Sequence, residues 1–408
     1  MGTWISFVGM AVILGIAVLL STNRRAINLR VVGAAFALQA GVAAFVLYLP
    51  FGKQLIQSLS DGVWTVIGYS GAGIEMVFGK LATDYENLSF AINVLPIIIF
   101  FASLMAVLYH VGLMQWVVRL LGGALRRIIG TQSVESLNAA ANIFVGQTEA
   151  PLVVRPYLRG LTRPQFFAIM VSGLASVAGT VLFAYASMGA KLEYLLAASF
   201  MAAPGGLLMA KLIIPDEPGE REEPGEKPQV EAGSSHYENV IMAAAVGAQD
   251  GLKLAVNIAA MLLAFVALIA MFNGFVGWLG GLAGIEALTL QDMLGWIFGP
   301  LMFLLSVPWE EAQVAGALFG EKLILNEFVA FLHYRELVEG LSPRAQAVIT
   351  FSLCGFANLS SIAILLGGLG SLVPEKRDLI ARFGLRAVAA GSLSNLMSAA
   401  LASVLIGL

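Results

Sequence analysis

Charged side chains are scarce in this chain of 408 residues: only 12% are Asp, Glu, Lys or Arg, roughly half the share of an ordinary water-soluble domain, about 25%. Large soluble chains divide into separately coated domains, and this one has too little polar surface to coat anything, with 59% hydrophobic residues and a mean hydropathy of +0.85. Cysteine is nearly absent, and Cys354 alone excludes an internal disulfide. The three histidines, His110, His236 and His333, lie too far apart in sequence for a zinc-type cluster. A formal charge of -3, with no basic patch interleaved with aromatics, excludes a nucleic-acid partner. No G-x-x-x-x-G-K-[ST] occurs, which argues against primary ATP-driven transport. Nor is there a Ser/His/Asp set, a Cys/His set or an H-E-x-x-H. What remains is a polytopic membrane protein.

A spanning helix needs roughly 17–25 apolar residues. Runs of that kind fall at Trp4–Leu20, Val31–Leu49, Ala91–Val111, Gln165–Tyr185, Leu192–Leu212, Leu252–Phe272, Ala345–Leu369 and Leu385–Leu408, predicting eight crossings. The first has its basic flank, Arg24 and Arg25, behind it rather than before it, so it reads as a retained span and not a signal peptide. Positive charge assigns the sides. Sixteen of the 23 Lys and Arg lie in alternate loops, among them Arg24, Arg119, Arg155, Lys211 and Arg377. This places those loops in the cytoplasm and both termini outside. Apolar stretches between Phe51 and Phe90, including Trp64–Phe78, read as interfacial. Pro215–Ser235 is rich in Pro, Gly and Glu and is expected to be a flexible cytoplasmic linker.

The halves flanking this linker contain a weak repeat. Gly160–Thr180 aligns without a gap on Gly340–Ser360, and Thr148–Leu158 parallels Asn326–Leu337 with about two residues of slippage. By the charge rule the first aligned span runs outward and the second inward, so the repeats are inverted. Ser133–Leu158, broken by GQTEAP, and Glu310–Tyr334, broken at Asn326-Glu327, read as re-entrant helical hairpins entering from opposite sides. Inverted repeats with broken helices place a substrate site at their interface near the bilayer midplane.

The polar residues in these segments are the candidate site. Glu149 and Glu327 sit at the hairpin breaks. A charge at membrane depth costs about 2.5–3.5 kcal/mol on insertion scales, so each acid needs a partner or a function. Each either caps a half-helix or pairs with an Arg, or else accepts hydrogen bonds from a ligand's hydroxyl or imino groups. Gln147 and Thr148 beside Glu149 suit the edge of a flat heterocycle, and Gly146 is expected to let the chain turn sharply. Asn358, Ser360 and Ser361 interrupt the seventh span as Ser176, Gly179 and Thr180 interrupt the fourth. Phe356 either stacks on an aromatic ligand or packs. Asn142 with Ser176 and free carbonyls either ligates a hard cation or makes an interhelical hydrogen bond. Glu310 and Glu311, after Pro308-Trp309, read as first-turn acids favoured by a helix dipole.

GQTEAPLVVRPYL (Gly146–Leu158), G-x-K-x-x-x-N-E-F-V-A-F (Gly320–Phe331) and CGFANLSSIAI (Cys354–Ile364) closely resemble signatures of the concentrative nucleoside transporter family, over nearly the whole chain and in its bacterial form. The resemblance implies an all-α homotrimer in the cytoplasmic (inner) membrane, each protomer with eight spans and two re-entrant hairpins. The corresponding division is residues 1–115 as scaffold spans one to three, 116–214 as the first transport repeat, 215–238 as linker, 239–290 as the scaffold region of span six, and 291–408 as the second transport repeat. Gln147, Thr148 and Glu149 match residues facing the nucleobase, and Val181 an apolar contact. Glu327, Asn358 and Ser361 match residues facing the ribose, and Phe356 a site wall. Asn142, Val145, Ser176 and Val177 match sodium-site positions, two through side chains and two through carbonyls. The implied function is sodium-coupled nucleoside import by alternating access, without a cofactor. Proton coupling is the alternative, with an intramembrane enzyme using Glu149 or Glu327 as general base, or a passive channel, more remote.

Overall fold

The computed structural model describes residues 4–82, 90–216, 237–282, 284–285 and 288–406. The expected linker lies almost wholly outside the described residues, as do Arg221, Lys227, Asp84, Glu86 and His236. Among the described residues all regular structure is helical.

The N-terminal part comprises α1 (Trp4–Leu19), α2 (Leu29–Leu47), α3 (Pro50–Phe78), α4 (Phe90–Asn93), α5 (Leu95–His110) and α6 (Leu113–Ile129). Next come α7 (Ser133–Ala141), a 3-10 segment over Ala150–Gly160, α8 (Arg163–Ala175), α9 (Gly179–Ser187) and α10 (Leu192–Ile213). After the linker follow α11 (Val240–Leu282), α12 (Leu290–Leu304), α13 (Trp309–Ile324), α14 (Glu327–Leu337), α15 (Pro343–Leu353), α16 (Ser360–Gly367), α17 (Leu369–Leu372) and α18 (Arg377–Ile406). Pro near the start of α3, α5, α8 and α15 occupies positions whose N–H would have no intrahelical acceptor.

Among the described residues the eight apolar runs fall on helices, the fourth and seventh with a break inside them. Six stretches among the described residues are long and apolar enough to span, namely α2, α4–α5, α8–α9, α10, α11 and Pro374–Ile406. Leu290–Leu304 and Trp309–Ile324 qualify only as a pair bent by 117°, and α1 and Ser360–Leu372 are shorter apolar helices. The bend has a local cause: Ser306 adopts a left-handed backbone (φ 63) and Pro308 follows it. The helices divide by burial. The most apolar windows of α8–α9, α10 and α18 are 89%, 89% and 83% buried, against 22–28% for α2, α4–α5 and α11. An inner group therefore sits against outer helices whose apolar faces are open.

Three elements differ from their sequence reading in extent. The expected sixth span, Leu252–Phe272, lies within the 43 residues of α11. Asp250, just before that run, pairs with Lys253 inside it as an exposed i,i+3 pair at 3.0 Å, so the polar residue that bounded the run does not end the helix. The region around Trp64–Phe78 belongs to the 29-residue α3. Arg119, Arg126 and Arg127, read as loop charges, lie on amphipathic α6, which buries Met114, Val118, Gly122, Leu125 and Ile129 along one stripe.

Candidate functional site

The site is built from four interruptions of helix. Hairpin one breaks after α7, between Asn142 and Glu149, and hairpin two breaks between α13 and α14. The fourth span opens between α8 and α9, where Ser176 and Ala178 are extended, and the seventh opens from Cys354 to Leu359. Open backbone at such depth must find partners, and the breaks supply them to one another. Gly179 N donates to Phe144 O at 3.0 Å, joining span four to hairpin one. Leu359 N donates to Leu323 O at 3.0 Å, joining span seven to hairpin two. Gly179 and Leu359 are equivalent in the repeat alignment, so the two repeats place the same bond. Ser176 and Phe356, also equivalent, join the breaks directly through Phe356 N and Ser176 O at 3.1 Å.

Around these interruptions lies a cavity of about 470 Å³ whose wall contains all eight residues singled out for the substrate: Gln147, Thr148, Glu149, Val181, Glu327, Phe356, Asn358 and Ser361. Glu327, at the first position of α14, is 4% exposed and accepts from Tyr185 Oη at 3.0 Å and Asn358 Nδ2 at 3.1 Å. Asn358 Oδ1 accepts from Ser360 Oγ at 2.7 Å and Ser361 N at 2.8 Å, while Gln147 Nε2 donates to Ser361 Oγ at 3.3 Å. A polar chain thus runs from hairpin two through span seven to hairpin one. Gln147 Oε1 is buried without a protein partner. Glu149 is exposed and accepts from Thr148 Oγ1 at 2.9 Å. Gly146 keeps a negative φ; its lack of a side chain instead admits the Glu149 carboxylate, whose Oε2 lies 2.5 Å from where a Cβ would stand.

The cation candidates lie behind this wall, with Val145 alone reaching the cavity. Asn142 ends α7 and donates from Nδ2 to Asn138 O at 3.0 Å and Ser172 Oγ at 3.3 Å. Ser176 Oγ donates to Ser172 O at 3.0 Å, and Val177 follows it fully buried. Asn142 Oδ1 and Asn138 Oδ1 are buried without partners. An unmade hydrogen bond of this kind costs about 1–3 kcal/mol, and oxygens of this class suit a hard monovalent cation better than a soft metal. No cluster of three or more His, Cys, Asp or Glu able to hold a metal occurs among the described residues.

Three family models match the chain: the Na+ dependent nucleoside transporter N-terminus over residues 8–81, nucleoside recognition ("Gate") over 91–192, and the Na+ dependent nucleoside transporter C-terminus over 194–403. The chain belongs to the concentrative nucleoside transporter family. It is 49% identical to the nucleoside permease NupC of Helicobacter pylori, over 99% of this chain and 98% of that one. An uncharacterized transporter of Haemophilus influenzae is 50% identical over 99% and 98% of the respective chains. The solved structure of CNTnw in an inward-facing substrate-bound state superposes with a TM-score of 0.93 at 50% identity, covering 99% of both chains. Further solved forms of CNTnw, in outward-facing and intermediate states, match at TM-scores from 0.92 to 0.96.

Several residues that tie these elements together are invisible to a search for polar interruptions. Tyr185, on an apolar run, looks like packing until its hydroxyl meets Glu327; its ring stacks on Phe331 at 4.4 Å between centroids. Asn395 of α18 donates to Ala175 O at 2.7 Å and Cys354 O at 2.9 Å, tying both broken spans together. Lys211, counted as a loop charge, is buried and pairs with Glu135 at 2.5 Å and Asp216 at 2.6 Å. Glu311 does more than start α13: it accepts from Ser342 N at 3.0 Å and Ser342 Oγ at 2.6 Å, linking the start of hairpin two to that of span seven. Lys322, near the end of α13, stood in the G-x-K-x-x-x-N-E-F signature without a role of its own, and the signal for Asn395 was an amide in the apolar second half of α18.

Proposed function

We propose that the chain is a secondary active, sodium-coupled nucleoside importer, uridine being a representative substrate. It works as a homotrimer of eight-span protomers in the inner membrane, with both termini outside the cytoplasm. The observation that carries this reading is the meeting of both hairpin breaks and both span breaks around one cavity holding Glu327, Asn358, Ser361 and Gln147. In it Glu327, Asn358 and Ser361 receive the ribose, while Gln147, Thr148 and Glu149 face the base between Val181 and Phe356. Sodium is taken up beside hairpin one, by Asn142 and Ser176 side chains with the carbonyls of Val145 and Val177. Organising that break prepares the base-facing residues, and each ion moved inward gains about 2.3 kcal/mol per 100 mV. The inner helices then carry the site past the outer ones, hairpin one sealing the cytoplasmic side and hairpin two the external side.

Radiolabelled uridine uptake into proteoliposomes, driven by an imposed sodium or proton gradient, tests the reading. Uptake above equilibrium that follows sodium is expected, and Asn142→Leu should raise the sodium requirement or abolish coupling. Uptake following protons and ignoring sodium would replace the ion. Equilibration without accumulation would indicate a channel, and chemically altered uridine an enzyme.

A further inference from the structure

Lys322, near the end of α13, is fully buried. Lys211, the other deeply buried lysine described above, is met by two carboxylates. The hydrogen-bond acceptors of Lys322 Nζ among the described residues are neutral: Ser352 O and Asn395 Oδ1, each at 2.7 Å. An ammonium taken from water into such surroundings is costly unless it is paired and hydrogen-bonded.

The repeat tells which position this is. Ser352 stands opposite Ser172 in the ungapped alignment of Gly160–Thr180 on Gly340–Ser360. In the first repeat, the hairpin amides Asn138 and Asn142 reach Ser172 Oγ, at 2.7 Å and 3.3 Å, and Ser172 O accepts from Ser176. In the second repeat the equivalent carbonyl, Ser352 O, accepts from Lys322, reaching across from the equivalent half of its hairpin. One repeat thus offers an unpartnered amide oxygen, Asn142 Oδ1, beside the serine of its broken span. The other already holds the Lys322 amino group there. Asn395 connects the two, since its Oδ1 accepts from Lys322 while its Nδ2 donates to Ala175 O, the carbonyl immediately before Ser176.

We propose that Lys322 is a tethered cation: its ammonium occupies, in the second repeat, the place corresponding to the mobile coupling ion of the first. This rests on the sodium-coupled reading above and deepens it. A tethered charge crosses with the protein and returns with it, so it does no net work in the membrane field. A mobile ion is left behind. Lys322 therefore confines ion coupling to the first repeat, and through Asn395 holds the two breaks in register. It is a positioning residue.

Lys322→Met keeps the aliphatic stem, removes the charge and leaves Ser352 O and Asn395 Oδ1 open to sodium. Uridine binding to the purified protein should then show a sodium dependence steeper by about one ion than wild type, and transport should carry about one more charge per uridine. Thermal stability lost by the variant in choline buffer should return in high sodium, and Lys322→Arg should keep the wild-type slope and charge ratio. A folded Lys322→Met protein with unchanged slope and charge ratio would overturn the inference while leaving sodium coupling intact. So would a variant that stays unfolded at every sodium concentration, or Met and Arg variants that behave alike. The wild-type titration, read separately, decides the underlying reading: no sodium dependence there refutes both.

Discussion

Glu327 meets donors from two separately broken helices, Tyr185 of span four and Asn358 of span seven. To an ionised Glu327 both bonds are charge-assisted, about twice the strength of neutral ones. Glu327→Gln exchanges one acceptor oxygen for an NH2 group facing a protein donor, and removes the charge offered to a ribose hydroxyl. Hydrogen bonds to charged groups contribute about 1.5–3 kcal/mol, so uridine affinity should fall about 10–150-fold by titration calorimetry. Affinity for the free base should be weak in wild type and change little in the variant. Undiminished uridine affinity in the folded variant would take Glu327 out of the site. At this scale the sequence was legible where a polar residue interrupts an apolar run, as for Glu327, Asn358 and Ser361. It was silent where the important atom sits on a residue that also makes ordinary packing, as Tyr185 does. Its partner lies 142 positions away, and no spacing rule reaches that far.

Among elements, the breaks are held open by close backbone approach. Gly355 is an example: a Cβ there would fall on the Asn395 side chain, which is fixed by its bonds to Ala175 O, Cys354 O and Lys322. Overpacking of this kind costs about 1–3 kcal/mol. Gly355→Ala should therefore lower the thermal midpoint of the purified protein. Gly340→Ala, where a Cβ meets nothing within 4 Å, should not. Equal midpoints for the two would mean that Asn395 yields freely and does not fix the breaks. The breaks themselves could be read from the chain because unwinding brings small and polar residues into an apolar run. The lengths of α3 and α11 could not, because apolar content reports contact with lipid or core and not helix continuity. Amphipathic α6 was missed for the same reason.

For the whole molecule, alternating access requires the two hairpins to gate opposite sides, an arrangement inferred from charge asymmetry and the aligned repeats. Ile324, at the end of α13, is 44% exposed, and Leu152, in the 3-10 segment of hairpin one, is 42% exposed, so both positions accept a reporter. Cys354 is buried, with 1% exposure, and must first be replaced so that labelling reports the introduced thiol alone. In that background Ile324→Cys should react with a membrane-impermeant thiol reagent added outside intact cells, and Leu152→Cys with the same reagent added to inverted vesicles. A ligand shifts only equilibria whose states it binds differently. Uridine with sodium should therefore protect Ile324→Cys if hairpin two closes over an occupied site, whereas either alone should protect less if the ion organises the break that the nucleoside then uses. Labelling of both positions from the outside only would remove the opposed gates, and with them the midplane site from which the substrate and ion assignments are argued. Labelling on the expected sides but indifferent to ligand would leave the topology standing and assign closure to another element.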